Sequence, residues 1–279
     1  MGTKFSKYSA LGNDYLVFDP LFNRMDLSPD NVRKICDRNF GVGADGILSG
    51  PEFIDEKIHL KIFNPDGSEA EKSGNGIRIF ARYLREKKYV IGDEFKICTK
   101  GGIVDVSVLN SDSSLIKVGM GDVSFSSTKI PVNGLGREVI REEILIDGEV
   151  LNCTCLTIGN PHCIVEMADI SKETALRFGP ILENNQHFSN RINVQFMKVI
   201  DRRNIKIEIW ERGAGYTLAS AAFRLGLTDN FINVHMPGGT IQIEITDKGN
   251  VFMTGKVDLV FEGQLTDSFE RNLVQERKA

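Results

Sequence analysis

Several things are scarce in this 279-residue chain, and each scarcity removes a class of function. Cysteine occurs five times, an odd number, at Cys36, Cys98, Cys153, Cys155 and Cys163. Their scatter predicts reduced, mostly buried thiols and no disulfide framework. Cys153 and Cys155, with His162 and Cys163 nearby, lack the spacing of a zinc knuckle. The alternation across Leu151–Ile158 reads as a strand instead, so no metal site is expected. No apolar run approaches the roughly 18 residues of a membrane helix, so no membrane partner is expected. Basic excess is also missing: the formal net charge is −4, which argues against nucleic acid. The opening residues Met1-Gly2-Thr3-Lys4-Phe5-Ser6 lack the apolar stretch of a secretory signal, and Gly2 with Ser6 only brushes the myristoylation pattern. A cytoplasmic location is the expectation.

What is present is strand pattern and a repeat. Lys4–Phe18, Lys57–Phe63, Glu94–Cys98, Ile103–Leu109, Ser114–Gly119, Glu143–Ile146, Cys163–Met167, Asn193–Val199, Ile205–Trp210, Thr240–Ile245 and Val257–Glu262 carry alternating, β-branched or aromatic residues. Helices are few. One runs from Ser28 to Asp37, with Ser28 as N-cap and Pro29 at the first helical position. A second covers Gly76–Lys87, where Ile77, Phe80, Ala81 and Leu84 repeat at helical spacing and suggest a buried helix wrapped by strands. A third covers Ser171–Phe178. A fourth is expected to follow Ser220 and to end near Leu225-Gly226.

The repeat organises the chain. Gly12-Asn13-Asp14 precedes Ser73-Gly74-Asn75-Gly76, and Gly159-Asn160-Pro161-His162 precedes Ala219-Ser220. Gly12 to Ser73 and Gly159 to Ser220 are both 61 positions. Two similar domains are therefore expected, 1–124 with 263–279 and 125–262, the break falling near Ser126-Ser127-Thr128. Each would offer one small polar residue to a shared cleft, an arrangement suited to removing a proton from one side of a ligand and returning it on the other. Thr99-Lys100-Gly101-Gly102 and Met236-Pro237-Gly238-Gly239 extend the repeat, but Ser73 to Gly101 is 28 positions and Ser220 to Gly238 is 18. Either the second copy has lost its loop and first helical turns near Ser220, or a stretch there is missing from the sequence as read.

The chemistry-bearing residues gather at the repeated motifs. Ser73-Gly74-Asn75-Gly76 sits at a helix start, where unpaired backbone N–H groups and the helix dipole suit a carboxylate. Glu211-Arg212, after a strand ending in Trp210, offers an acid and a base to clamp the ammonium and carboxylate of an amino acid. His162 orients a catalytic group, acts as a base or is simply structural. Gly41-Val42-Gly43-Ala44-Asp45-Gly46 lacks the strand–turn–helix setting of a nucleotide fingerprint.

At these residues the chain resembles the diaminopimelate epimerase family over nearly its whole length. The segments that carry the resemblance are Leu11-Gly12-Asn13-Asp14-Tyr15, Phe40–Gly46, Phe63–Glu69, Ser73–Arg78, Gly159–His162, Arg191–Val194 and Trp210–Gly215. The resemblance implies an α/β (α+β) fold of two pseudo-symmetric domains, each a mostly antiparallel strand barrel around a central helix. It implies a cofactor-independent epimerase interconverting LL- and meso-diaminopimelate, in lysine and cell-wall precursor synthesis. By position, Ser73 and Ser220 are then the two catalytic acid–base residues. Asn13, Asn64, Asn160, Asn193, Glu211 and Arg212 bind substrate, and Gly74 and Asn75 lend backbone N–H groups to its carboxylate. No cofactor is implied, the partner is a small-molecule amino acid, and a homodimer is a possible assembly.

The chain departs from the family at those same positions. The family has cysteine at both 73 and 220, usually has Glu where this chain has Tyr216, and carries a Gly-rich stretch after the second cysteine that is absent here. If the gap opens before Ser220, the second catalytic position is itself missing. A thiol near its ordinary pKa of about 8.5 ionises far more readily than a hydroxyl, and two-base proton transfer needs one group deprotonated while its opposite is protonated. A racemase for another amino acid such as histidine, or a catalytically impaired amino-acid-binding homologue, are the alternatives.

Overall fold

Leu11 and Gly12 divide the long N-terminal alternation into two strands. Both have positive φ, 53° and 86°, the pair of left-handed residues that a tight hairpin turn requires. The computed structural model describes residues 2–22, 25–210 and 217–274, and of residues 217–219 and 274 the backbone alone. In it β1 (Lys4–Ala10) and β2 (Asn13–Phe18) form an antiparallel pair with Tyr8 opposite Tyr15. There follow α1 (Pro29–Cys36), β3 (Ile47–Ile54), β4 (Lys57–Phe63), the short β5 (Glu69–Ala70), α2 (Gly74–Glu86), β6 (Glu94–Thr99), β7 (Gly102–Val108) and β8 (Leu115–Asp122). A second series comprises β9 (Glu142–Ile146), β10 (Glu149–Thr157), β11 (Pro161–Glu166), α3 (Lys172–Glu183), β12 (Asn193–Asp201) and β13 (Asn204–Trp210). It continues through α4 (Thr217–Arg224), β14 (Phe231–Met236), β15 (Gly239–Ile245) and β16 (Asn250–Lys256). The chain closes with β17 (Asp258–Gln264) and α5 (Asp267–Val274).

Two compact units result, one of residues up to Val118 and from Gly255 onward, the other Gly119–Thr254. These breaks fall within β8 and β16, not in the polar run at Ser126-Ser127-Thr128. Each unit repeats one order of strand pairing. In the first, β1–β2 is antiparallel, β2–β3 parallel, β3–β4 antiparallel, β4–β6 parallel, and β6–β7 and β7–β8 antiparallel. In the second, β10–β11, β11–β12, β12–β13, β13–β14, β14–β15 and β15–β16 run through the same alternation. The first parallel crossover in each unit carries α1 or α3, and the second carries α2 or α4, as parallel neighbours require a connection of this length.

The middle helix is the core of each unit. Ile77, Ile79, Phe80, Ala81 and Leu84 of α2 are at 0% exposure, and the helix packs against β1, β2, β3 and β7. The counterpart α4 packs against β10, β11, β12 and β15. The wide apolar face of α2 is buried among its strands, while Arg82, Arg85 and Glu86 lie on the side that reaches solvent.

The structure corrects the sequence reading at several elements. β3, which contains Gly50 and Pro51, is not among the expected strands. The ladder has a bulge between Ser49 and Glu52, where a missing Pro donor is tolerated. β14, β16 and α5 were also not expected. α3 extends five residues past Phe178, to Glu183, with Pro180 inside it. The fourth helix does not follow Ser220: it begins at Thr217, so Ser220 lies within it.

Candidate active site

Ser73 is the N-cap of α2. Its backbone is extended, φ −139° and ψ 116°, and its Oγ accepts the Gly76 N–H at 3.1 Å. The Ile77 N–H donates to the Ser73 carbonyl at 2.8 Å. The N–H groups of Gly74 and Asn75 precede any intrahelical acceptor, so they are the helix's open donors. Ser73 itself is half-buried. A hydrogen bond of 3.1 Å joins its Oγ to the Tyr15 hydroxyl. Tyr15 was not singled out in the sequence. Its place directly after Asn13-Asp14 was the available signal, and only the fold shows that this strand passes beside the helix start.

Asn13 and Asn75 are brought together. Asn75 Nδ2 donates to Asn13 Oδ1, Asn13 Nδ2 donates to Asp45 Oδ2 at 3.4 Å, and Arg78 donates to Asn75 Oδ1. Arg78 lies wholly inside the unit. Burial lowers its pKa to about 9, which still leaves it charged at neutral pH. A buried cation one helical turn from the open N–H groups adds to the positive end of the helix dipole. In front of it, Arg38 bridges Asp14 and Asp45, and Lys7 pairs with Asp14 at 2.8 Å. Burial opposes the Asp14 charge, but hydrogen bonds from Arg38 and Lys7 outweigh it and hold the carboxyl well below its usual range. Asn64 sits at the end of β4, and its Nδ2 donates to Ser68 Oγ at 3.0 Å within its own turn.

The second unit holds a different set. Asn160 is exposed in the bend after Gly159, whose φ is 109°. Asn193 lies beside it on the parallel neighbour strand, and its Nδ2 donates to the Pro161 carbonyl at 3.1 Å. His162 pairs with Asn193 in the same ladder. Its ring is 1% exposed, and burial lowers its pKa to about 3, so the imidazole is neutral throughout the physiological range. Glu211, Arg212 and Tyr216 lie outside the described residues.

Ser220 is not placed as Ser73 is. It is buried on the inner side of α4, beside Ala221 and Ala222, and its Oγ makes no hydrogen bond to the described residues. The helix ends fix its register. α2 closes with Tyr89 N–H donating to Leu84 O and Lys88 at φ 60°; α4 closes with Leu227 N–H donating to Ala222 O and Gly226 at φ 71°. These are the same C-terminal cap. Counted back from it, Ser220 corresponds to Arg82, nine positions beyond Ser73. Counted forward from the preceding strand, it corresponds to Ser73. The two counts differ by nine positions, which is the shortfall of the second copy beside Ser220; within the described helix Ser220 is an interior residue, not a cap.

Known proteins bear on the same residues. A family model described as diaminopimelate epimerase matches residues 5–126 and 154–260. A relative described as diaminopimelate epimerase 2, from Nostoc sp., is 51% identical over 273 aligned positions, covering 94% of this chain and 95% of that protein. Since 94% of 279 residues is about 262, fewer than the 273 positions aligned, this chain carries gaps within that match. The diaminopimelate epimerase of Halothermothrix orenii is 37% identical, covering 95% and 98% of the two chains. Among solved structures, a hydroxyproline epimerase from Agrobacterium vitis superposes with a TM-score of 0.69 at 12% identity, covering 94% of this chain and 90% of that one. A probable proline racemase from Agrobacterium radiobacter gives 0.67 at 12% identity, with coverage of 95% and 93%. At such low identity these structures speak for the fold alone.

Proposed function

Because the chain belongs to the diaminopimelate epimerase family, we propose that it is a cofactor-independent amino-acid epimerase that interconverts LL- and meso-diaminopimelate by proton transfer at Cα. The observation that carries this reading is the start of α2: a half-buried hydroxyl at the N-cap beside two open backbone donors. In the proposed complex the substrate carboxylate accepts the Gly74 and Asn75 N–H groups. Charge that develops on the carboxylate as the Cα proton leaves is stabilised there by the donors, by the helix dipole and by the buried Arg78 behind Asn75. Asn13, Asn64, Asn160, Asn193, Glu211 and Arg212 bind the remaining polar groups of the substrate. Ser73 is the acid–base group on its face of Cα. A hydroxyl is a far weaker acid than a thiol, so each tenfold loss in rate from that exchange amounts to about 1.4 kcal/mol of barrier.

The position of Ser220 favours a second reading. A serine inside α4 is no match for one at a helix start. A protein with one acid–base face exchanges the Cα proton with solvent and returns it to the same side. Incubation with LL-diaminopimelate in deuterium oxide separates the two. Deuterated meso product supports epimerisation; deuterium in LL-diaminopimelate without meso product supports one-face exchange. Calorimetric binding without exchange, or exchange only with other amino acids, contradicts the assignment.

A further inference from the structure

We propose that Tyr15 is a positioning residue for Ser73, directing its phenol O–H at Oγ as Ser73 gives up its proton. This rests on the reading of Ser73 as an acid–base group, and it adds a residue that the sequence motifs did not assign. The hydroxyl-to-Oγ distance is 3.1 Å, and the Gly76 N–H reaches the same oxygen at 3.1 Å. Oγ therefore has two donors within reach while its own proton is free to point elsewhere. When Ser73 protonates the Cα carbanion, its O–H bond breaks, the carbanion's electron pair forms the new C–H bond, and the alkoxide is left on Oγ within reach of two donors. It then regains a proton from water. Preorganised donors around a developing oxyanion are the arrangement that makes such a step accessible.

The surroundings of Tyr15 hold the phenol in place. Its ring is 8% exposed. On either side of it the backbone is laced to the neighbouring segment, Asp45 N–H donating to Asp14 O at 2.8 Å and Leu16 N–H to Gly46 O at 3.1 Å. Gly46 makes room for the ring: a Cβ there would stand 2.6 Å from Tyr15 Cε1 and 2.5 Å from the Phe63 carbonyl. Burial raises the Tyr15 pKa above its ordinary value, so the phenol keeps its proton at neutral pH and is available as a donor.

The test uses a group at position 73 whose ionisation is read directly. In Ser73→Cys, the pH dependence of alkylation by iodoacetamide gives the midpoint of the introduced thiol; the unsubstituted protein, with its five buried cysteines, supplies the blank. Adding Tyr15→Phe is expected to raise that midpoint by about one unit, the size of one hydrogen bond to a charged group. Fluorotyrosine at position 15, a stronger donor of nearly the same shape, is expected to lower it and keeps the test open if Tyr15→Phe does not fold. With serine kept at position 73, Tyr15→Phe is expected to slow Cα exchange about tenfold or more in kcat with KM nearly unchanged. A thiol midpoint that does not move with the residue at 15 overturns the role of Tyr15. Absence of any exchange, with the midpoint shifted as expected, overturns the catalytic reading of Ser73 and leaves the Tyr15 contact standing.

Discussion

The two middle helices of this protein pack against corresponding strands and close with the same C-terminal cap, but their serines fall at different places. α2 has 13 residues and starts at a serine that caps it. α4 has 8 residues and places its serine in the interior. Equal spacing from an upstream motif had made Ser73 and Ser220 look equivalent. Spacing along the chain measures position in three dimensions only when no residues have been lost in between, and the second copy is ten residues shorter beside Ser220. Helix register is the better guide, because a continuous helix advances a fixed rise per residue. The first unit has kept a helix start with an acceptor, open donors and a buried cation; in the second, the described helix corresponds, counted from its C-terminal cap, to the later part of α2, Ile79 to Glu86.

The sharpest way to test that contrast is to remove each hydroxyl. Ser73→Ala is expected to lower Cα exchange by about 100-fold or more, the usual scale for a positioned acid–base group. It also removes an N-cap acceptor, for about 1 kcal/mol of stability. Deuterium incorporation and a denaturation midpoint measure the two effects.

The units are also expected to respond differently to acid. His162 in the second unit has its folded pKa below its unfolded value of 6.5, at about 3. Its contribution is therefore full above pH 6.5 and is lost as pH falls from 6.5 towards 3. Asp14 in the first unit is likewise depressed, from 3.8, so its contribution is present above 3.8 and is lost only below that. Urea unfolding between pH 7 and 4 should show a loss on the order of a few kcal/mol that His162→Gln removes. If His162→Gln shows the same pH slope as the unsubstituted protein, burial of the imidazole is not the cause.

The smallest effect belongs to Ser220→Ala. Replacing a buried hydroxyl that makes no hydrogen bond to the described residues, at a helix interior position, is expected to leave stability unchanged or raise it by about 1 kcal/mol. Exchange should stay within about twofold. A large loss of exchange would restore Ser220 to the chemistry.

Much of this was legible in the sequence. The buried character of α2 follows from the apolar stripe of Ile77, Phe80, Ala81 and Leu84, and its start from a serine followed by glycines. The two-domain repeat follows from paired motifs, and the family from seven ordered segments. What stayed hidden has physical causes. β3 was masked by Gly50-Pro51, because a bulge admits turn residues inside a strand. The neutral state of His162 depends on how much protein surrounds it, which no local pattern encodes. Tyr15 meets Ser73 across 58 positions of chain, a contact made by strand β2 passing the end of α2. The interior place of Ser220 depended on where α4 begins, and helix beginnings are read poorly when the usual cap residues do not mark them.

The central claim, that Ser73 stands at an accessible helix start while Ser220 is enclosed, is tested most directly by comparing Ser73→Cys with Ser220→Cys under iodoacetamide at pH 8.5 in the native protein. The expected result is rapid modification at 73 and protection at 220 matching that of the five native cysteines, released only on unfolding. Equal modification rates at the two positions would contradict it.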